Sequence, residues 1–341
     1  MSALLTLLLF PADLPADDAR FDPPAQPVPL IFETDISGDC DDVGALAMIH
    51  HLVSLGEARL LMVGINRDEP QQSSAAAVDV INTARGRGDI PIGVSHASRT
   101  QTARKSTYTA KLAAEFPHDA RPDPQMPDAV ALYRRTLAAA DDGSVVIASV
   151  GGTTNLAELL DSPADDASDL GGRDLVARKV KLLVQMAGQF PTSRVRRAEA
   201  NMLIDPPANA VLVDRWPTPI VWSGWEVGAP IRTGQPLADL PVTSPVRRAY
   251  ELHPGGGIDA DRRPLSSLAG SRPSWDQTAV LYAVRGRGDL WTLVPGRPVL
   301  GENSQHTDWT GATDGRHAYL VPAASTEVIA EVINGLMLPA E

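Results

Sequence analysis

Ile31-Phe32-Glu33-Thr34-Asp35-Ile36-Ser37-Gly38-Asp39-Cys40-Asp41-Asp42-Val43-Gly44-Ala45-Leu46-Ala47 sets five carboxylates within ten positions, 33–42. An apolar run precedes them and an apolar-periodic segment follows. Carboxylates this close repel one another unless a cation or shared protons compensate, and an all-oxygen cluster suits a hard divalent ion better than zinc or copper. A solvated acidic turn is the plainer explanation of an acidic run. The context argues against it, because 28–32 reads as a buried strand and 42–55 as a helix. The acids therefore sit on a strand-to-helix turn, where α/β sheets place their sites.

Outward from this turn the pattern repeats. Strands are expected at 60–65, 90–94, 145–150, 180–186 and 220–222, with helices at 72–84, 129–140, 155–160, 206–214, 242–252 and 275–284. Short strands at 290–294 and 318–321 and a helix at 325–336 close the chain. This βαβ alternation predicts one α/β domain with a mainly parallel, Rossmann-like central sheet flanked by helices. Residues 96–127, with Pro117, Pro122, Pro124 and Pro127, read as a long surface excursion placed to cover the site, and the Gly-, Pro- and Arg-rich stretch 253–273 reads as a loop.

Composition narrows the function classes. The net charge of −12 argues against a nucleic-acid polymer as partner, since such binders present a basic face. A single cysteine, Cys40, excludes a disulfide framework and a Cys-rich zinc site. The apolar run Ala3-Leu4-Leu5-Thr6-Leu7-Leu8-Leu9-Phe10 is too short to span a bilayer. It resembles the h-region of a signal peptide with small residues between Ala12 and Ala16, although no Lys or Arg precedes it. Residues 1–26 are thus read as an export signal of a periplasmic or secreted protein, or as a disordered leader of a cytoplasmic one, and 27–341 as the catalytic domain.

Four strand ends carry oxygen-rich groups: the acidic turn, Asn66-Arg67-Asp68-Glu69, Gly152-Thr153-Thr154-Asn155, and Glu199-Ala200-Asn201. Asp276 at a helix start is a fifth. Taken singly these are ordinary turn residues and caps, but the carboxyl ends of parallel strands share one edge, so the five can converge.

In this order the residues resemble the inosine-uridine-preferring nucleoside hydrolases. The turn is similar to that family's D-T-D-P-G-x-D-D-A-x-A motif, with two residues extra. Val63-Gly64-Ile65-Asn66 resembles its strand ending in a ribose-contacting Asn. Thr154-Asn155-Leu156-Ala157 resembles its L-T-N-L-A turn, and Glu199-Ala200-Asn201 with Asp205-Pro206 its E-F-N and D-P segments. Asp276 matches the late calcium aspartate. The resemblance spans about 28–337 and implies hydrolysis of the N-glycosidic bond of a ribonucleoside, with Ca2+ as cofactor. It implies that Asp35 is base and metal ligand, that Asp42 and Asp276 are ligands, and that Thr154 is a ligand through its carbonyl. Asp41, Asn66, Glu199 and Asn201 would grip the ribose hydroxyls. A homo-oligomer, dimer or tetramer, goes with it.

Two departures stand out. Asp39 has no assigned role, either replacing Asp41 near the metal or standing behind the ligands. Trp275 occupies the place where many members have a His suited to protonating the leaving base. Trp cannot act as a general acid; it either stacks on a base, which favours a purine, or is a core aromatic. Arg272 and His253 precede it in the loop before Asp276, within reach of a leaving group, although solvent exposure is the expectation for such loop residues, and His306 and Asp308 have no assignment. Two rival classes remain: a non-catalytic calcium-dependent nucleoside or sugar binder, which the missing His permits, and a Mg-dependent phosphohydrolase. The latter lacks the D-x-D pair it needs, since Asp35-Ile36-Ser37 interrupts it.

Overall fold

Strand β1 (Val28–Thr34) divides the molecule into its two cores by simple alternation: Leu30 and Phe32 face one apolar cluster, and Ile31 between them faces the other. The computed structural model describes residues 24–97, 105–193, 198–286, 288–301, 307–311 and 315–340. Most of the leader and the segment 302–306, with His306, lie outside them. After β1 come α1 (Asp41–Ser54), β2 (Ala58–Ile65), α2 (Ser74–Ala84), β3 (Ile92–Val94), α3 (Thr109–Glu115), α4 (Ala129–Ala139), β4 (Val145–Ser149), α5 (Thr154–Asp161), α6 (Gly172–Lys179), β5 (Val180–Met186), α7 (Pro206–Arg215) and β6 (Ile220–Ser223). A less regular stretch holds α8 (Trp225–Gly228), β7 (Arg232–Thr233), α9 (Pro245–Leu252), β8 (Pro254–Ile258), β9 (Pro264–Ser266), α10 (Ser267–Gly270) and β10 (Arg272–Pro273). The chain then closes with α11 (Trp275–Arg285), β11 (Trp291–Leu300), β12 (Thr307–Thr310), β13 (His317–Pro322) and α12 (Thr326–Met337).

Nine of the described strands form one sheet in the order β12-β11-β13-β6-β5-β4-β1-β2-β3. From β13 to β3 every pairing is parallel, and β11 and β12 add an antiparallel edge. Helices α1, α2, α11 and α12 cover one face and α4 to α7 the other, as the single-domain α/β expectation requires. Helix α1 is buried at eleven of its fourteen positions, because it is held between the sheet and helices α11 and α12. Gly44 makes this close approach: a Cβ there would stand 2.4 Å from both Gln277 Nε2 and Tyr250 Oη. That approach brings the start of α1 to the start of α11.

The structure corrects two expectations and adds a helix that the sequence reading lacks. The stretch 253–273 contains the β8–β9 hairpin rather than a plain loop. The excursion 96–127 contains α3, with Tyr108 and Leu112 fully buried, so it is part of the packed structure and not only surface. The acidic connection before β5 contains α6, whose exposed polar residues conceal Leu175 and Val176 on its buried side. Among the described residues no helix is long and apolar enough to cross a membrane.

Candidate active site

The turn after β1 is tied down by its own side chains. The Thr34 hydroxyl donates to Asp42 and accepts from the Ile36 amide at 3.1 Å, and the Ser37 hydroxyl donates to the Asp35 carbonyl at 3.0 Å. Asp41 and Asp42 thereby occupy the first turn of α1, and Asp276 the first turn of α11. Asp41 Oδ2 accepts the amides of Trp275 at 3.2 Å and Asp276 at 3.3 Å, which stitches the two helix starts together. One carboxylate oxygen from each of Asp41, Asp42 and Asp276 lies within 4.8 Å of the others.

All three are buried, and burial followed by the charges of neighbouring aspartates pushes each carboxyl well above the usual range. Each helix start contributes about half a positive charge, so two of them supply about one against three carboxylates. The deficit and the oxygen-only donor set fit a hard divalent cation.

Above these carboxylates opens a cavity of about 350 Å³. Asp35 lines it and pairs with Arg67, Nη1 to Oδ2 at 2.8 Å. Glu199 and Asn201 line it from the far side. Glu199 accepts the amides of Gly188, Asn201 and Met202 at 3.1, 3.0 and 3.3 Å, yet burial outweighs these donors and raises its carboxyl to about 7. Asn201 Nδ2 donates to the Val150 and Met186 carbonyls at 3.2 and 3.0 Å, which fixes the amide across the ends of β4 and β5.

Two of the expected residues stand behind the cavity wall rather than on it. Asn66 Oδ1 accepts the Gly152 amide at 3.0 Å, and a Cβ on Gly151 would lie 2.5 Å from that oxygen and 2.8 Å from Asp35 Cβ, so glycine is required where the turn lies against both. Thr154, the first residue of α5, is buried with its hydroxyl donating to Asp205 Oδ2 at 2.9 Å. Asp205 also caps α7 by accepting from the Ala208 amide, and Pro206 occupies the first turn.

The remaining wall departs most from the sequence reading. Arg272 is not a solvated loop residue. It lines the cavity, its guanidinium grips Asp39 through Nε at 2.7 Å and through Nη2, and it lies 5.3 Å over the Trp275 ring. His253 is likewise buried, bonded to Ser267 Oγ at 2.8 Å, with Nε2 3.3 Å from the Gly38 carbonyl and 3.8 Å from Asp39. Asp39 thus belongs to this wall and does not join the Asp41–Asp42–Asp276 set. Tyr108 donates its hydroxyl to the Asp39 carbonyl at 2.5 Å, so the excursion does reach the acidic turn.

Trp275 lines the cavity, half-buried, and its indole N–H donates to the Trp225 carbonyl at 2.8 Å. Trp225 itself lines the cavity, its ring 6.3 Å from that of Trp275. Trp225 follows the end of β6, on the same sheet edge that singled out the other candidates. That edge rule identifies it once aromatic as well as oxygen-bearing residues are considered. Arg67 belongs to an oxygen-rich stretch, and nothing in its sequence context announces the pairing with Asp35.

A parallel α/β fold with a carboxylate floor at the carboxyl ends of its strands defines a class of metal-assisted hydrolase. The profile of the family "Inosine-uridine preferring nucleoside hydrolase" matches residues 30–291. The chain belongs to that family of metal-dependent hydrolases acting on N-glycosyl bonds. A solved plant nucleoside hydrolase superposes with a TM-score of 0.66 at 17% identity, over 91% of this chain and 99% of its own. The inosine-uridine preferring nucleoside hydrolase of Bacillus anthracis gives 0.64 at 16%, over 91% and 99%. The type III effector protein XopQ, solved with adenosine diphosphate ribose, gives 0.62 at 16%, over 92% and 94%. At these identities the likeness speaks for the fold alone. Comparison with curated proteins gives no match.

Proposed function

We propose that this enzyme hydrolyses the N-glycosidic bond of a ribonucleoside, purines before pyrimidines, to free base and ribose, with calcium as its metal. The observation that carries the reading is the buried meeting of Asp41, Asp42 and Asp276, residues from opposite ends of the chain whose oxygens lie within 4.8 Å on the floor of a nucleoside-sized cavity. Calcium suits a site of carboxylates and carbonyls because it takes six to eight oxygens in flexible geometry. In this reading Asp35, Asp42, Asp276 and the Thr154 carbonyl hold it. Bound there, it would orient and acidify the attacking water and draw the ribose hydroxyls to the floor.

The residues divide the remaining work. Asp35 takes the proton of the attacking water. Asp41 and Glu199 accept ribose hydroxyls, and Asn201, with its Nδ2 committed to two carbonyls, offers its oxygen to another. Such buried polar groups leave unpaired partners when a hydroxyl is missing, so a deoxyribonucleoside binds poorly. Asn66 acts from behind, through the Gly152 amide it holds. Trp225 and Trp275 give the base an aromatic surface, which favours the larger purine.

The test is release of free ribose from a panel of purine and pyrimidine ribonucleosides with calcium present. Turnover by the wild type and its loss in Asp35→Ala would support the reading. A second reading, a calcium-dependent nucleoside binder without turnover, is favoured by the commitment of the Trp275 N–H to a backbone carbonyl where an acid is expected. Nucleoside binding with no ribose released from any member of the panel would select it.

A further inference from the structure

We propose that Arg272 is the leaving-group residue of this enzyme: anchored by Asp39 over the face of Trp275, it stabilises the departing base by hydrogen bonding and charge, without giving up a proton. The assignment rests on the nucleoside hydrolase reading and deepens it.

Three observations carry it. Arg272 lines the same cavity as the carboxylate floor, four residues before Asp276 and on the wall formed by Trp275. Two of its five N–H groups are held by Asp39, and the guanidinium keeps three more on a planar fork that, among the described residues, has no further bond. The other candidate donor on this wall, the Trp275 indole, is committed to the Trp225 carbonyl.

The placement of the guanidinium is also constrained from several sides. Asp39 fixes it by two bonds, the Trp275 ring lies beneath it, and the Asp39 carbonyl is held in turn by Tyr108. Asp39 and Arg272 meet across 233 positions, Asp39 from the acidic turn and Arg272 from β10 just before α11.

A guanidinium does not deprotonate in a protein, so it is not a general acid. Its chemistry is that of a preorganised donor aimed at developing charge. The C1′–N bond breaks with both electrons moving onto the base, water oxygen bonds to C1′, and the water proton passes to Asp35. The base departs as a hydrogen-bonded anion and takes its proton from solvent. Such a site depends on how well the base carries negative charge, so the rate should depend steeply on leaving-group acidity.

The experiment compares wild type, Arg272→Gln and the double variant Asp39→Asn/Arg272→Gln, in the presence of calcium, on inosine and on 4-nitrophenyl β-D-ribofuranoside, whose leaving anion is stable by itself. The proposal expects both variants to lose about 100-fold in kcat/KM on inosine and less than about threefold on the nitrophenyl riboside. The retained nitrophenyl activity shows that the fold and floor are intact. Asp39→Asn alone should show the same selectivity with a smaller loss, marking Asp39 as a positioning residue. Equal losses on both substrates would overturn the assignment in favour of a structural role. Absence of ribose release from either substrate by wild type would overturn the hydrolase reading, and this one with it.

Discussion

Asp39 and Asp42 lie three residues apart in one turn, and the protein treats them in opposite ways. Burial works against ionisation at both. At Asp39 the hydrogen bonds and charge of Arg272 win, and its carboxyl is held below the ordinary range. At Asp42, as at Asp41 and Asp276, the neighbours are other carboxylates, and the group is pushed well above it. Glu33, at the end of the same strand, shows a third arrangement. Fully buried between the Tyr133 hydroxyl at 2.7 Å and Asn155 Nδ2 at 2.6 Å, it has neutral partners only, and burial raises it to about 7. A buried carboxylate needs a counter-charge or a proton. In the Asp41–Asp42–Asp276 set the carboxylates face chiefly one another, which is why this set, of the three arrangements, asks for an added cation.

Removing a charge from each arrangement tests the contrast. The largest effect belongs to the floor: Asp42→Asn or Asp276→Asn should weaken calcium binding by more than the roughly 100-fold that loss of a ligand's hydrogen-bonding partner costs, measured by calorimetry. With the cation stripped, the same variants should unfold at higher denaturant than wild type, because one repelling charge is gone. A variant less stable in both states would break the comparison.

Next comes Glu33. Its folded value lies above the unfolded 4.5, so the folded state holds the proton more tightly. The stabilisation is full below 4.5, is lost as pH rises to about 7, and is flat above. The change is about 3 kcal/mol at most. Denaturation curves of wild type and Glu33→Gln should therefore diverge between these limits, and parallel curves would contradict the protonated pair.

The Asp39 arrangement gives the smallest effect, since both its partners keep some exposure to water. Arg272→Gln should cost about 2 kcal/mol by leaving Asp39 buried without its cation, whereas Asp39→Asn/Arg272→Gln should cost less than about 1 kcal/mol. Chemical denaturation with calcium held constant reads both, and equal costs would mean that the pair is not coupled.

The sequence carried the parallel half of the fold clearly because buried strands such as Leu30 to Phe32 and Val145 to Ala148 read as uninterrupted apolar runs. The hairpin β8–β9 escaped because Pro254-Gly255-Gly256-Gly257 has no apolar alternation to read. Helix α6 escaped because only Leu175 and Val176 on it are buried apolar residues. In the site, Asp41, Asp42 and Asp276 were legible through charge density and through ordered resemblance. Arg272 was legible only as a loop residue within reach of a leaving group, and the ion pairs of Arg67 and Arg272 were not, since an arginine among polar or Gly- and Pro-rich neighbours gives no sign of the carboxylate it will meet across 32 or 233 positions. The same loss of distant information hid the support of Asn66: its spacing from β2 was plain, but the Gly152 amide that its Oδ1 engages lies 86 positions away.

The most direct test of the cation-bearing floor is ribose release from inosine by protein stripped with a chelator and then titrated with calcium, wild type beside Asp276→Asn. The account predicts no release after stripping, saturable recovery with calcium in wild type, and no recovery in the variant over the same range. Release that continues unchanged after stripping would contradict it.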